Sequence, residues 1–129
     1  MGERRNQATR EAPQRGGLVK MENAQFERIR GDIAENDIVL YMKGTPIFPQ
    51  DGYSAVVAEV LRGLDVSYYS VDVLEDKALY QAVKEFTNWP NVPQLYVKGE
   101  FIGGSDAIKE LNASGELRAL LEKHGLLDG

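Results

Sequence analysis

The stretch KGTPIFPQDGYS, at positions 43–54, brings a lysine, two prolines and an aspartate into an order that could support binding chemistry. It joins a predicted strand to a predicted helix, and Asp51 falls where the helix should begin. The free N–H groups and the positive dipole end of a helix favour an anion at this place. The carboxylate is therefore either an ordinary helix N-cap, which is the commoner role of aspartate, or part of a ligand site.

Three further signals lie elsewhere in the chain, and each has an ordinary structural explanation as well. Val92-Pro93 stands at the mouth of a predicted strand, where a proline marks a strand start or an edge. Residues 103–106, GGSD, let a backbone approach a ligand beside a second helix N-terminus, or they are only a hairpin exit followed by a cap. Lys43 and Lys84 are able to hold carboxylates, or they are solvated surface lysines.

The composition excludes several classes of function. The net charge of −5 and the pI of about 4.9 disfavour nucleic acid as a partner. Because the chain has no cysteine, it has no disulfide, no thiolate metal ligand and no sulfur nucleophile. Its apolar runs are far shorter than the roughly 20 residues that span a bilayer, so we expect a soluble protein with no membrane partner.

The N-terminal residues differ in charge from the rest of the chain. Residues 1–21 carry +3, which leaves −8 on residues 22–129, and we expect a disordered basic tail followed by one domain. The tail lacks the apolar centre of a secretory signal, and its two acidic residues are unusual for an organellar transit peptide. We therefore expect a cytoplasmic protein, with an organellar location as the alternative.

Hydrophobic spacing predicts alternating helices and strands. Helices are expected at 23–36, 54–64, 74–89 and from 105 onward with an interruption at Gly115, and strands at 37–42, 66–73, 94–97 and 100–104. Trp89, at the end of the third helix, is expected in the core. This order predicts an α/β protein with a four-stranded mixed sheet, flanking helices and a final antiparallel hairpin, which is a thioredoxin-like layout.

Taken together, KGTPIFPQ, NWPNVPQLYVKGEFIGGSD and SGEL resemble, in order and spacing, the monothiol glutaredoxins over roughly residues 22–125. The signature of that family is the tetrapeptide CGFS in a lysine-glycine-threonine-proline loop. The resemblance implies a glutaredoxin-like domain with the thioredoxin fold and with Pro93 in the cis form.

The resemblance also implies ligands and partners. Members of the family bind glutathione and, as dimers, a [2Fe–2S] cluster held by the CGFS cysteine and by glutathione. They pass clusters to iron–sulfur acceptor proteins and pair with BolA-type proteins. The residues implied for glutathione are Lys43 and Lys84 as carboxylate holders, the backbone of Val92 beside Pro93 as a clamp, Tyr53 within the signature, and Gly104, Ser105 and Asp106 around the γ-glutamyl end.

The sequence departs from the family at two of these positions. CGFS is DGYS here, so Asp51 replaces the nucleophile and iron ligand, and a mixed disulfide or a thiolate–iron bond is not possible. Tyr80 stands where the family usually has an arginine for a glutathione carboxylate, which predicts weaker affinity.

Three hypotheses follow from these departures. The first is a redox-inactive module that binds glutathione and partner proteins and is monomeric, because no cluster bridges two copies. The alternative is a [2Fe–2S] carrier in which Asp51 is an oxygen ligand, although iron in clusters prefers thiolate. In the third, Asp51 is an introduced substitution of a native cysteine.

Overall fold

A computed structural model describes residues 13–127, with side chains from residue 24 onward. Residues 1–12 of the predicted tail lie outside this range. The helices are α1 (Pro13–Glu35), α2 (Gly52–Leu64), α3 (Lys77–Thr87), α4 (Ser105–Ser114) and α5 (Glu116–Lys123), with a short 3₁₀ turn at Val73–Glu75. The strands are β1 (Ile38–Met42), β2 (Tyr69–Asp72), β3 (Gln94–Val97) and β4 (Glu100–Gly103).

The four strands form one mixed sheet in the order β2-β1-β3-β4. β1 and β2 run parallel, with Tyr41 opposite Val71, and β3 is antiparallel to β1, with Tyr41 opposite Gln94. β3 and β4 form the closing antiparallel hairpin. The predicted mixed sheet and final hairpin are confirmed.

Both faces of the sheet are covered, because successive side chains of a strand point to opposite faces. Leu40 and Met42 pack under α2, α4 and α5. Val39 and Tyr41 pack on the other face, together with residues of α1 and α3. Every residue of β1 is buried, as its continuous apolar sequence predicts.

The element boundaries differ from the sequence prediction in three places. α1 begins at Pro13, ten residues before the predicted start, because proline fits the first turn of a helix and extending a helix costs less than nucleating one. β2 covers only Tyr69–Asp72, because only those residues lie opposite β1. The third predicted helix is divided, because Asp76 caps a new helix by accepting a hydrogen bond from the N–H of Leu79.

The closing helical region is two helices, α4 and α5, that meet at Gly115. Gly115 has φ of +84°, a left-handed conformation that ends α4 and that glycine adopts without steric cost. Within residues 13–127, no helix is both long and apolar enough to cross a membrane.

Candidate ligand-binding site

A cavity of about 620 Å³ opens where the start of α2, the segment before β3 and the start of α4 meet. Three predicted site residues line it from the α2 side: Lys43, Asp51 and Tyr53. Five more line the opposite side: Val92, Pro93, Gly104, Ser105 and Asp106. The structure therefore brings together eight predicted site residues from three segments that are far apart in the sequence.

Asp51 is both the N-cap of α2 and part of the cavity wall. Its Oδ1 accepts a hydrogen bond of 2.8 Å from the N–H of Ser54, which satisfies a free donor of the first turn. Its Oδ2 lies 3.6 Å from Nζ of Lys43. The carboxylate thus occupies the position that the helix dipole makes favourable for an anion, and it already has two partners there.

The loop between β1 and α2 is held by hydrogen bonds that its backbone N–H groups donate within the loop and to Asp72 of β2. Gly44 has φ of +88°, and a Cβ at this position would collide with the carbonyl of Phe48. The N–H of Gly44 donates to Oδ1 of Asp72 at 2.9 Å, and the N–H of Gln50 donates to the carbonyl of Lys43 at 2.8 Å. The same loop leaves Ile47 and Phe48 exposed, by 80% and 72%.

Tyr80 lies against both lysines that were predicted to hold carboxylates. Nζ of Lys84 is 4.6 Å from the centre of the Tyr80 ring, and Nζ of Lys43 is 5.8 Å from it, which are cation–π distances. The pKa of Lys43 is raised, first by the Tyr80 side chain and further by the Asp51 carboxylate, with burial acting in the opposite direction. Lys43 is thus a cation in the cavity, whereas Lys84 is outside the cavity lining and rests on Tyr80.

The Val92–Pro93 peptide bond is cis, as the resemblance implies. Next to it, the side chain of Gln94 is fully buried, and its Nε2 lies within hydrogen-bond distance of three acceptors. These are Oγ1 of Thr87 at 3.0 Å, the carbonyl of Asn91 at 3.2 Å and the carbonyl of Trp89 at 3.3 Å. Because carbonyl oxygens only accept, the amide nitrogen has to face them. Gln94 therefore ties the wall before β3 to the sheet.

The third wall is the start of α4, and Gly104 occupies its N-cap position. The predicted cap by Ser105 and Asp106 is wrong, because both residues already lie in the first turn of the helix. Within the described residues no side chain caps this terminus, so its first N–H groups are free for a ligand. A Cβ at Gly104 would meet the carbonyl of Pro93 and Nε1 of Trp89, both at 3.3 Å, so glycine allows this close packing.

Sequence reasoning missed four residues of the lining: Trp89, Asn91, Ala107 and Glu110. Trp89 was expected in the core, but it is 43% exposed and faces the cavity. It follows the helix end at Asn88, whose left-handed conformation turns the chain away from α3. The only sequence signal for these residues is their closeness to Val92 and Ser105.

The fold and the site define the class of protein. A four-stranded mixed sheet with a cavity between a helix N-terminus and a cis-proline is the architecture of a thioredoxin-fold protein. The glutaredoxin family model matches residues 38–102, which contain the loop, the cis-proline and most of the hairpin. The chain belongs to the glutaredoxin family, and its relatives are monothiol glutaredoxins.

Three comparisons illustrate the relationship. The chain is 45% identical over 108 residues to the chloroplastic monothiol glutaredoxin-S7 of Oryza sativa, covering 84% of this chain and 62% of the rice protein. It is 42% identical to a probable monothiol glutaredoxin 2 of Rickettsia typhi, covering 79% of this chain and 92% of that protein. The crystal structure of a buckwheat glutaredoxin–glutathione complex shares the fold, with a TM-score of 0.75, 20% identity, and coverage of 84% of this chain and 97% of the buckwheat chain.

The residues present fit glutathione better than an iron–sulfur cluster. Glutathione has two carboxylates and a peptide backbone, which suit the free N–H groups of α4, the cation of Lys43 and the backbone of Val92. A [2Fe–2S] cluster takes thiolate ligands, and the chain has none. Asp51 is a hard oxygen donor that already has two partners, and the described residues contain no group of three His, Cys, Asp or Glu able to hold a metal. The donor set does not fit the cluster.

Proposed function

We propose that this glutaredoxin-family protein is a redox-inactive module that binds glutathione and partner proteins. The observation that carries the proposal is the identity and setting of Asp51: a carboxylate caps α2 at the family's cysteine position, in a chain without cysteine. Thiol–disulfide exchange requires a thiolate that attacks a disulfide sulfur, and a carboxylate cannot form that bond. Asp51 thus keeps a negative charge at the start of α2, where a cysteine thiolate would lie, but it supplies no nucleophile.

Glutathione binding is supported by the parts of the cavity that surround Asp51. The N–H groups at the start of α4 would hold the α-carboxylate of the γ-glutamyl end, beside Ser105 and Asp106. The backbone of Val92 would pair with the cysteinyl residue, and Lys43, with Lys84 near it, would attract the glycine carboxylate. We expect modest affinity, because Asp51 already partly neutralises Lys43 and Tyr80 adds no charge.

Partner binding is supported by the apolar side chains that the loop exposes next to the cavity. Ile47, Phe48 and Tyr53 are 80%, 72% and 65% exposed, and large exposed apolar side chains close together mark interaction surfaces. By resemblance, the partners are BolA-type proteins and iron–sulfur acceptor proteins. We propose that the protein binds these partners as a monomer. We place it in the cytoplasm or, as the chloroplastic name of the rice relative suggests, in an organelle.

The release of glutathione from a glutathionylated peptide tests the loss of redox activity. We expect no turnover above buffer by the unchanged protein or by Asp51→Ser, and measurable turnover by Asp51→Cys, which gains a thiol at a helix N-terminus. Turnover by the unchanged protein would contradict the proposal. Turnover by Asp51→Cys would show that the rest of the cavity is still competent.

Anaerobic reconstitution with iron, sulfide and glutathione tests the cluster-carrier alternative. We expect visible absorption from the Asp51→Cys protein and none from the unchanged protein. If the unchanged protein also absorbs, and if Asp51→Ala removes that absorption, then Asp51 is an oxygen ligand and the carrier hypothesis is correct.

A further inference from the structure

Three aromatic side chains line the cavity, and two of them are exposed. Tyr53 is 65% exposed and Trp89 is 43% exposed, while Tyr80 is half-buried beneath the two lysines. Tyr53 lies in the first turn of α2, two residues after Asp51. An apolar surface therefore lies directly beside the carboxylate at the mouth of the cavity.

We propose that this cavity selects glutathione whose sulfur already carries an apolar substituent, as in a glutathione thioether, over glutathione with a free thiol. The inference rests on the proposed glutathione binding and specifies the chemical form of the ligand. No covalent step is involved, because a thioether sulfur forms no disulfide and Asp51 offers no thiol.

The place of the sulfur follows from the chemistry of the tripeptide. Glutathione has a carboxylate at each end and its sulfur on the middle residue. If the two carboxylates take the two electropositive positions, the free N–H groups at the start of α4 and the Lys43 ammonium, the sulfur lies between them along Val92. Asp51 and Tyr53 face this space from the start of α2.

Asp51 acts against one form of the sulfur only. A thiolate beside a carboxylate is repelled, and the repulsion is strong where water is partly excluded. A thioether is neutral at every pH, so it has no such cost. A thiol is neutral as well near pH 7 but ionises around pH 8.5, so its disadvantage grows as the solution becomes alkaline.

Tyr53 provides the attraction. An alkyl or aryl group on the sulfur removes apolar surface from water when it covers an exposed aromatic ring, and the gain grows with each methylene. A hexyl chain is long enough to cover the Tyr53 ring, whereas a methyl group adds little area. The substituent length therefore separates the effect of Tyr53 from that of Asp51.

Calorimetric titration at pH 7 with S-hexylglutathione, S-methylglutathione and reduced glutathione tests the role of Tyr53. We expect S-hexylglutathione to bind about tenfold more tightly than glutathione, on the basis of the apolar area covered. Tyr53→Ser should remove most of this ratio. Tyr69→Ser is the matched control, because Tyr69 is also an exposed tyrosine but lies on the edge strand β2, outside the cavity lining. The ratio of S-hexylglutathione to glutathione affinity should be unchanged in this variant.

A second titration separates the effect of Asp51. Between pH 7 and pH 9 the ratio of S-methylglutathione to glutathione affinity should widen for the unchanged protein and stay constant for Asp51→Asn. Equal binding of S-hexylglutathione and glutathione at pH 7, or a hexyl ratio that survives Tyr53→Ser, would overturn this inference while glutathione binding stands. If none of the three ligands binds, the proposed function itself fails.

Discussion

Asp51 and Ser54 are joined by a hydrogen bond at the start of α2. Oδ1 of Asp51 accepts from the N–H of Ser54 at 2.8 Å, and the buried hydroxyl of Ser54 accepts from the N–H of Lys43 at 3.0 Å. The two bonds connect the loop, the helix start and the cation of the site. The carboxylate therefore has a structural role in addition to any role towards a ligand.

Replacing Asp51 should separate these two roles. We expect Asp51→Ala to lower the free energy of unfolding by about 0.5–2 kcal/mol, because the N-cap is lost, and Asp51→Asn to stay close to the unchanged protein, because its carbonyl still accepts. Urea denaturation followed by circular dichroism measures both. If the asparagine variant is as unstable as the alanine variant, the ion pair with Lys43 is the stabilising contact instead.

Introducing an arginine at position 80 should strengthen glutathione binding. Tyr80→Arg adds a charged fork beside Lys43 and Lys84, and we expect the Kd to fall several-fold. Tyr80→Phe is the control, because it keeps the ring on which the lysines rest, and its Kd should change little. Calorimetric titration at low and high salt makes the comparison, and a gain that is independent of salt would argue against an added charge contact.

Removing the amide of Gln94 should loosen one wall of the cavity. Gln94→Leu leaves the carbonyls of Trp89 and Asn91 without their buried donor, and we expect a loss of about 1–3 kcal/mol in unfolding free energy together with weaker ligand binding. Gln81→Leu, on the exposed face of α3, is the matched control and should leave both quantities unchanged. Ligand affinity that is unaffected in the Gln94 variant would show that the wall holds without it.

Two neighbouring buried tyrosines should respond differently to loss of the hydroxyl group. Tyr41 and Tyr96 pack edge to face with ring centres 5.9 Å apart. The Tyr41 hydroxyl donates to Oδ2 of Asp32 at 2.9 Å, whereas the Tyr96 hydroxyl has no partner within the described residues. Thermal unfolding should show a lower Tm for Tyr41→Phe and an unchanged or higher Tm for Tyr96→Phe. A large loss in both would mean that the Tyr96 hydroxyl is bonded after all.

The same tyrosines should make the protein sensitive to alkali. Burial raises the pKa of Tyr96, and burial followed by the charge of Asp32 raises that of Tyr41. Above about pH 10 the unfolded chain loses these protons and the folded protein keeps them, so the unfolding free energy should fall by up to about 1.4 kcal/mol per pH unit for each tyrosine. Urea denaturation from pH 8 to pH 11 should show a shallower fall in the double variant Tyr41→Phe, Tyr96→Phe. An equal slope in both proteins would contradict this cause.

The sequence predicted the sheet and most of the site because their signals are local. The apolar run of β1, the VPQ segment and the two helix starts each identify their own element, and the fold then brings them together. Trp89 was misplaced for the opposite reason. Its exposure depends on the left-handed turn at Asn88, which the apolar spacing along the chain does not reveal.

One carboxylate oxygen connects the site to the far edge of the sheet. Oδ1 of Asp72 accepts from the N–H of Gly44 in the loop and from the N–H of Leu74 in the 3₁₀ turn that leads to α3. The loop and the 3₁₀ turn therefore donate to the same acceptor. We expect a movement of the Asp72 side chain to break both hydrogen bonds together. The amide protons of Gly44 and Leu74 therefore belong to one cooperative unit of local unfolding.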